Sequence, residues 1–467
     1  MKTKITLLIA MLFLGFNVVL AQANEEDMNT LSIFSEYAKA KNYDAAYGPW
    51  MEIRQRNPKF NRAIYTYGER ILKDKIKKSS GQDKVGFVND LVKLYEERAM
   101  HFASKTPKGE FMAKSCQLMY DNKDLLGKSN EELYDCFDTA YKADQATFTN
   151  PKSLYTYFSL MVDLYDAKKK PAQALFNKYD DVSEKIEAEI KNYTKKLNKY
   201  VPQAEEGDEE VPEVKLSSKD ERRVKSYNSY LNAYSQIIGS VDSKLGERAN
   251  CTNLVPLYTK DFEEFKNDGV WLQRAMNRMF AKECTDDPLF VKIVQQKNKL
   301  EPNASTAYYL GILKEKEGNW NDALGYFNQA VDLETDSFDK AKRLSSIATK
   351  FRKKGSYGQA RSYYNKALKE NPSLGSAYIA IAQMYAKSAN NCGEDNFSKR
   401  AVYWLAAQTA RKAARVDASL SKAAASTAAN YLAKAPTKSE IFSSGRAGET
   451  IKIGCWIGSS VKVPSIQ

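Results

Sequence analysis

Two stretches of this chain carry apolar stripes at helical spacing. From Pro171 onward, Leu175, Tyr179, Val182, Ile186, Ile190, Tyr193 and Leu197 recur at steps of three and four residues. Tyr227, Leu231, Tyr234, Ile238, Val241 and Leu245 repeat the pattern. Pro171 suits a helix start, where its missing N–H has no partner to lose. Between the stripes, Glu205–Glu213 is rich in carboxylates, and its first part, Glu205–Glu210, has no aromatic or large apolar side chain. The pattern predicts an antiparallel helical hairpin over 171–250, joined by a solvated acidic loop over 202–217. The acids do not have the spacing of an EF-hand calcium loop.

A different pattern governs 304–372, where small residues return at matched positions. Leu310-Gly311, Gly318-Asn319-Trp320, Ala323, Phe327 and Ala330 are followed by Ile347-Ala348, Gly355-Ser356-Tyr357, Ala360, Tyr364, Ala367 and Pro372. Gly311 and Ala348 fit where paired helices cross closely, and Gly318 and Gly355 fit a left-handed stop after a first helix. These columns resemble the tetratricopeptide repeat (TPR), a helix-turn-helix unit of about 34 residues. Ala323 and Ala360 lie 37 residues apart, which predicts a lengthened linker over Glu334–Lys340. Leu31–Pro58 resembles another such unit, through Tyr37, Tyr43, Ala46, Trp50, Ile53 and Pro58. Ile64, Tyr67, Gly68 and Ile71 resemble a further first helix, whose partner is expected over Val85–Phe102 after a loop at Lys77–Lys84. Helices are expected near Glu131–Ala143 and Ser153–Ala167, and three more over Cys251–Leu300. Tyr378, Ile381-Ala382 and Tyr385 open a third C-terminal repeat, whose second helix (Ala406, Ala410, Ala413) follows an insertion at Ser388–Arg400. A last helix is expected to pack Ala423, Ala428, Tyr431 and Leu432 as a cap.

The two ends differ in kind from the middle. Lys2 and Lys4 precede the apolar run Ile5–Leu20 and the small-x-small tripeptide Ala21-Gln22-Ala23. This order predicts a cleaved export signal over 1–23, in preference to a membrane anchor. Near the other end, Ile451, Ile453, Cys455 and Ile457 alternate with polar positions, and Val461 and Val463 follow Gly458-Ser459, which predicts a β-hairpin. The resulting organisation is an N-terminal TPR-like region (24–170), the hairpin (171–250), a C-terminal TPR array (251–432) and a tail (433–467). The fold class is all-α: a TPR-like right-handed helical solenoid with a long αα-hairpin insertion and a small C-terminal β-hairpin.

The formal charge of +13 allows contact with anionic polymers, although a solvated lysine-rich surface accounts for it as well. Six cysteines in an exported chain favour disulfides among 15 possible pairings. Sequential pairing is expected: Cys116 with Cys136, Cys251 with Cys284 across a helical pair, and Cys392 with Cys455 to clamp the tail. No C-x-x-C spacing points to zinc or redox chemistry, and no metal or cofactor is expected.

Catalytic motifs are scarce. His101 is the one histidine, which rules out a two-histidine metal site within one chain. Ser419-Leu420-Ser421-Lys422 matches S-x-x-K without its companion motifs. Nucleotide-binding and hydrolase motifs are missing. The TPR resemblance instead implies a concave groove lined by first helices. It places Ser305, Tyr308, Ile312, Glu315 and Lys316 there, then Lys342, Ser345, Thr349, Arg352 and Lys353, then Ser376, Ile379, Gln383 and Lys387. Tyr308, Ser345 and Ile379 stand where a carboxylate-clamp lysine would be expected, so capture of a C-terminal carboxylate is not implied. The expectation is a non-enzymatic periplasmic or secreted scaffold or adaptor for proteins or peptides in envelope assembly, secretion or folding. Nucleic acid is not an expected partner. The alternative is a binder of anionic envelope polymers or lipid headgroups through a basic face, with peripheral association to the envelope. An unrecognised hydrolase or transferase ranks third.

Overall fold

The computed structural model describes residues 25–202 and 215–465. The expected export signal, 1–23, and the acidic stretch Glu205–Glu213 lie outside the described residues. Among those described, the chain is all-α and TPR-like, with one two-stranded antiparallel hairpin near its end. It divides into two compact units after Ile186, inside the helix Ala172–Leu197.

In the first unit, helices at 25–39, Tyr43–Arg56, Ala63–Lys78 and Gly81–His101 form the first four-helix run. They bury Phe34, Ala46, Trp50, Ile53, Ile64, Ile71, Leu72, Leu91 and Leu94 in one core. Trp50 donates its indole N–H to the Ile64 carbonyl at 2.7 Å, and its ring lies where a side chain on Gly68 would stand. Glycine is therefore required at 68. The loop expected over Lys77–Lys84 shrinks to Ser79 and Ser80, because Gly81 adopts φ +55 and starts the next helix at once. Helices Lys108–Asp121 and Asn130–Ala143 are joined by Cys116–Cys136, and Pro151–Asp166 follows, starting on its proline. Phe137, Tyr141, Phe148 and Tyr157 meet with ring centroids between 5.4 and 6.3 Å.

In the second unit, the end of Ala172–Leu197 pairs with Ser218–Leu245. Tyr193 seals the pair, stacking on Tyr230 at 4.7 Å and meeting Tyr227 and Tyr234 at 5.9 Å. Helices Cys251–Phe265, Gly269–Ala281 and Pro288–Leu300 come next, with Cys251–Cys284 linking the start of one to the end of another. Three helical pairs follow: Ala304–Lys316 with Trp320–Leu333, Ser337–Lys353 with Tyr357–Glu370, and Gly375–Ser388 with Asn396–Val416. Ala323, Phe327, Ala348, Ala360 and Tyr364 are all buried. Gly318 and Gly355 adopt φ +79 and +76 after the first helices.

The structure corrects three details. The extra residues of the second repeat extend its first helix to 17 residues against 13, and the linker stays short at 334–336. Asp336 caps the longer helix by accepting from the Phe338 and Asp339 N–H groups. The final helix, Ser421–Leu432, buries Ala424 and Ala428, while Ala423 and Leu432 are exposed. Ala428 and Tyr431 pack as expected, with Ala424 buried in the place expected for Ala423. Strands Thr450–Ile453 and Ser459–Lys462 pair Ile451 with Val461, so the turn spans Gly454–Gly458, with Cys455 and Gly458 both at positive φ.

The tail is held by side chains as well as by Cys392–Cys455. Trp456 donates to Ser388 Oγ at 2.9 Å, and its ring lies between Tyr357 and Tyr385 at about equal distances, 5.5 and 5.4 Å. Arg361 donates to the Ile457 carbonyl. A two-stranded hairpin is marginal alone, and these contacts supply the rest of its core.

Candidate partner-binding face of the first helices

Polar contacts tie each first helix of the C-terminal array to the next, three residue pairs at the first junction and one at the second. Tyr308 shares a 2.6 Å hydrogen bond with Ser346. Arg343 donates to Ser305 Oγ at 3.1 Å and to Glu334 at 3.0 Å. Lys350 pairs with Glu315. Arg352 donates to Gln383 Oε1 at 3.0 Å. Apart from Glu334, which follows helix Trp320–Leu333, these partners come from helices Ala304–Lys316, Ser337–Lys353 and Gly375–Ser388, so the three first helices lie abreast and present a common face. Helical periodicity puts Ser305, Tyr308 and Glu315 (steps of three and seven) on one side of their helix, and Arg343, Ser346 and Lys350 (steps of three and four) on one side of the next.

The residues expected on this face divide by exposure. Ile312 is 8% exposed and belongs to the packing. Tyr308 is wedged against Phe327 and Phe280, with centroids at 5.4 and 6.1 Å. Burial raises its hydroxyl pKa, and the Ser346 bond offsets part of that. Lys316 is exposed but engaged, reaching Thr285 at 2.6 Å and Asp286 at 2.5 Å. Thr349 bonds the Tyr364 hydroxyl at 2.9 Å. Ile379 is half-buried beside Val201 and Tyr378. Lys342, which lies over the Phe338 ring at 5.7 Å, is exposed, as are Lys353, Ser376, Gln383 and Lys387. Lys353 and Lys387 have no carboxylate partner among the described residues. Both sit in the last turns of first helices, where a cation also meets the negative end of the helix dipole.

Sequence columns missed Ser346, Arg343 and Lys350, which make most of the ties. A polar residue three or four places from a column residue is the only signal that could have found them. The helical hairpin reaches the same array. Lys191 pairs with Asp339 at 2.6 Å and Asp336 at 3.4 Å, and Asn198 donates to Asn371 at 3.1 Å. Burial works against the charge on Lys191, but the bond and charge of Asp339, with Asp336, raise its pKa overall.

No family model matches the chain. Over 112 residues it is 31% identical to the photosystem I assembly protein Ycf3 of Cuscuta gronovii, a match covering 22% of this chain and 67% of the relative. It is 29% identical over 128 residues to Ycf3 of Prochlorococcus marinus, covering 27% and 73%. Among solved structures it is similar to a tetratricopeptide repeat protein from Parabacteroides merdae (9% identity, 68% and 97% covered, TM-score 0.25). Yeast Tom70 is another (11% identity, 90% and 82% covered, TM-score 0.26). Among the described residues, no helix is long and apolar enough to cross a membrane. With paired helices crossing on small residues, first helices standing abreast, and a relative matched over two-thirds of its length, the chain belongs to the tetratricopeptide repeat proteins.

Proposed function

We propose that this chain is an exported, non-enzymatic scaffold that holds a partner protein through an extended acidic peptide laid across its first-helix face. The observation that carries this is the row of exposed residues on two neighbouring first helices: Lys342, Lys353, Gln383 and Lys387, with Arg352 bridging to Gln383. Lysines without carboxylate partners favour carboxylates on the ligand, and the half-buried Ile379 offers a small apolar contact. A role in envelope assembly, secretion or folding is consistent with the export signal read at 1–23. All six cysteines are paired, which supports an oxidising compartment such as the periplasm. The test is selection from a random peptide display library on the purified protein. Enrichment of acidic sequences, lost with Lys353→Glu and Lys387→Glu, supports the reading. Enriched peptides without acidic bias, or binding indifferent to both substitutions, would sink it.

A further inference from the structure

Positive charge is concentrated at one end of the chain. Residues 396–446 hold nine Lys and Arg against Asp417 and Glu440, a net +7 within a whole-chain +13. From Ala418 to Ser439 there is no carboxylate, and Lys422, Lys434 and Lys438 are exposed. Arg400 gathers this region. Its guanidinium donates to the Lys434 and Ala435 carbonyls at 3.1 and 2.8 Å and pairs with Glu440. The segment 434–440 is thus pinned beside the first turn of helix Asn396–Val416. Lys434 also lies over the Tyr403 ring at 5.8 Å.

The same corner exposes apolar side chains that folding leaves unused. Ile441 is buried, and the next residue, Phe442, is 77% exposed. Leu432 is 37% exposed. Within 11 residues the chain therefore displays Leu432, Lys434, Lys438 and Phe442 outward, with Tyr403 close by. Cations attract phosphate headgroups, while exposed phenyl and leucine side chains enter the boundary of headgroup and acyl chain. Tyrosine also favours that boundary. A soluble polyanion would use the lysines but has no place for Phe442.

We propose that this C-terminal corner docks on an anionic bilayer surface, with Phe442 and Leu432 inserted and Lys434 and Lys438 on the headgroups. The surface shares no residue with the first-helix face, so the two bind independently. The experiment is flotation of the full chain with vesicles of phosphatidylcholine alone and of equal parts phosphatidylcholine and phosphatidylglycerol. Binding to the mixed vesicles only is expected. Phe442→Ser, and separately Lys434→Glu with Lys438→Glu, should each weaken it roughly tenfold or more. All three side chains are exposed, so the melting curve should stay in place and confirm folded variants. Peptides selected on the first-helix face should bind these variants unchanged, which separates failure of this proposal from failure of the groove reading. The proposal is overturned by no binding to either vesicle, by equal binding to both, or by a Phe442→Ser variant that binds like the parent. In the last case, displacement by dextran sulfate would identify a soluble polyanion as the ligand.

Discussion

The ring of Phe327 lies across Gly311 so closely that a Cβ built there would stand 2.6 Å from its Cδ1 and Cε1 atoms. The Ala323 carbonyl would be 3.1 Å away on the same side. In an open helix, replacing glycine by alanine stabilises by about 0.5–1 kcal/mol. At 311 the sign should reverse, because a fully buried ring and a backbone carbonyl have little room to move. Gly311→Ala should destabilise by ~1–3 kcal/mol, the range for overpacking. Gly325→Ala, one helix later with open space around it, should stabilise. Paired thermal or denaturant melts decide the matter: matching shifts of one sign would mean that the helix crossing is not close.

Lys178, 7% exposed, sits among Asp138 at 3.2 Å, Asp181 at 3.6 Å and the Tyr157 hydroxyl, with the Tyr157 ring beneath it at 4.3 Å. Burial alone would raise the Asp138 pKa. Hydrogen bonds from Lys142 and Tyr157 and the Lys178 charge outweigh it, and hold the carboxyl at about 2 against an ordinary 3.8. A depressed folded-state value means that this carboxylate stabilises above pH ~4 and loses its contribution as pH falls toward ~2. Asp138→Asn should cost at least ~2 kcal/mol, less than the ~3–5 for an abandoned buried charge because Asp181 remains. It should also flatten the stability profile between those pH values. Denaturant midpoints of both proteins across that window are the measurement, and parallel profiles would refute the assignment.

Reduction should act unevenly on the three disulfides. In the chain-entropy picture, bonds spanning 20, 33 and 63 residues each stabilise by about 3–4 kcal/mol. The 392–455 bond does something further, since it holds the Trp456 indole in its slot. Cys455→Ser should therefore raise amide exchange first in 450–462, before the repeats loosen. Trp456→Ala in the oxidised protein should do the same. Uniform exchange across the second unit in either variant would show that the tail is not a separate docked piece.

Much of the helical pairing was legible in sequence because close crossings demand small residues. Gly311, Ala323, Ala348 and Ala360 leave that demand in plain view, and Gly318 and Gly355 mark the left-handed stops. The charge-bearing face was less legible. Whether Tyr308 is a ligand contact or a packing residue depends on Ser346 and Phe280, which belong to other helices. Ile312 and Lys316 were likewise settled by neighbours, one by burial and one by Asp286. Alanine-rich helices gave the weakest phase information: in Ser421–Leu432 almost any register offers a small apolar stripe, so Ala428 and Tyr431 were placed correctly while Ala424, not Ala423, is the other buried alanine. The turn at Gly454–Gly458 escaped because Cys455 takes a left-handed conformation that its residue type does not advertise.

Exposure predicts which first-helix residues a peptide can use. Lys353 and Lys387 are exposed and lack carboxylate partners among the described residues, so reversing their charge removes attraction without breaking a fold contact. Lys353→Glu with Lys387→Glu should lower affinity for an acidic peptide by about tenfold, taking roughly 0.5–1 kcal/mol per exposed charge, while the melting temperature moves little. Ile312→Ala should behave oppositely, costing ~2–4 kcal/mol of stability as a buried truncation with the affinity of the folded fraction kept. Arg352→Ala should fall between, since it releases Gln383 as well as removing a charge. Titrations at low and moderate salt complete the test. The parent should lose affinity as salt screens the lysines, and the doubly reversed variant should lose little. Equal salt slopes would mean that these lysines face solvent only and that the ligand lies elsewhere on the array.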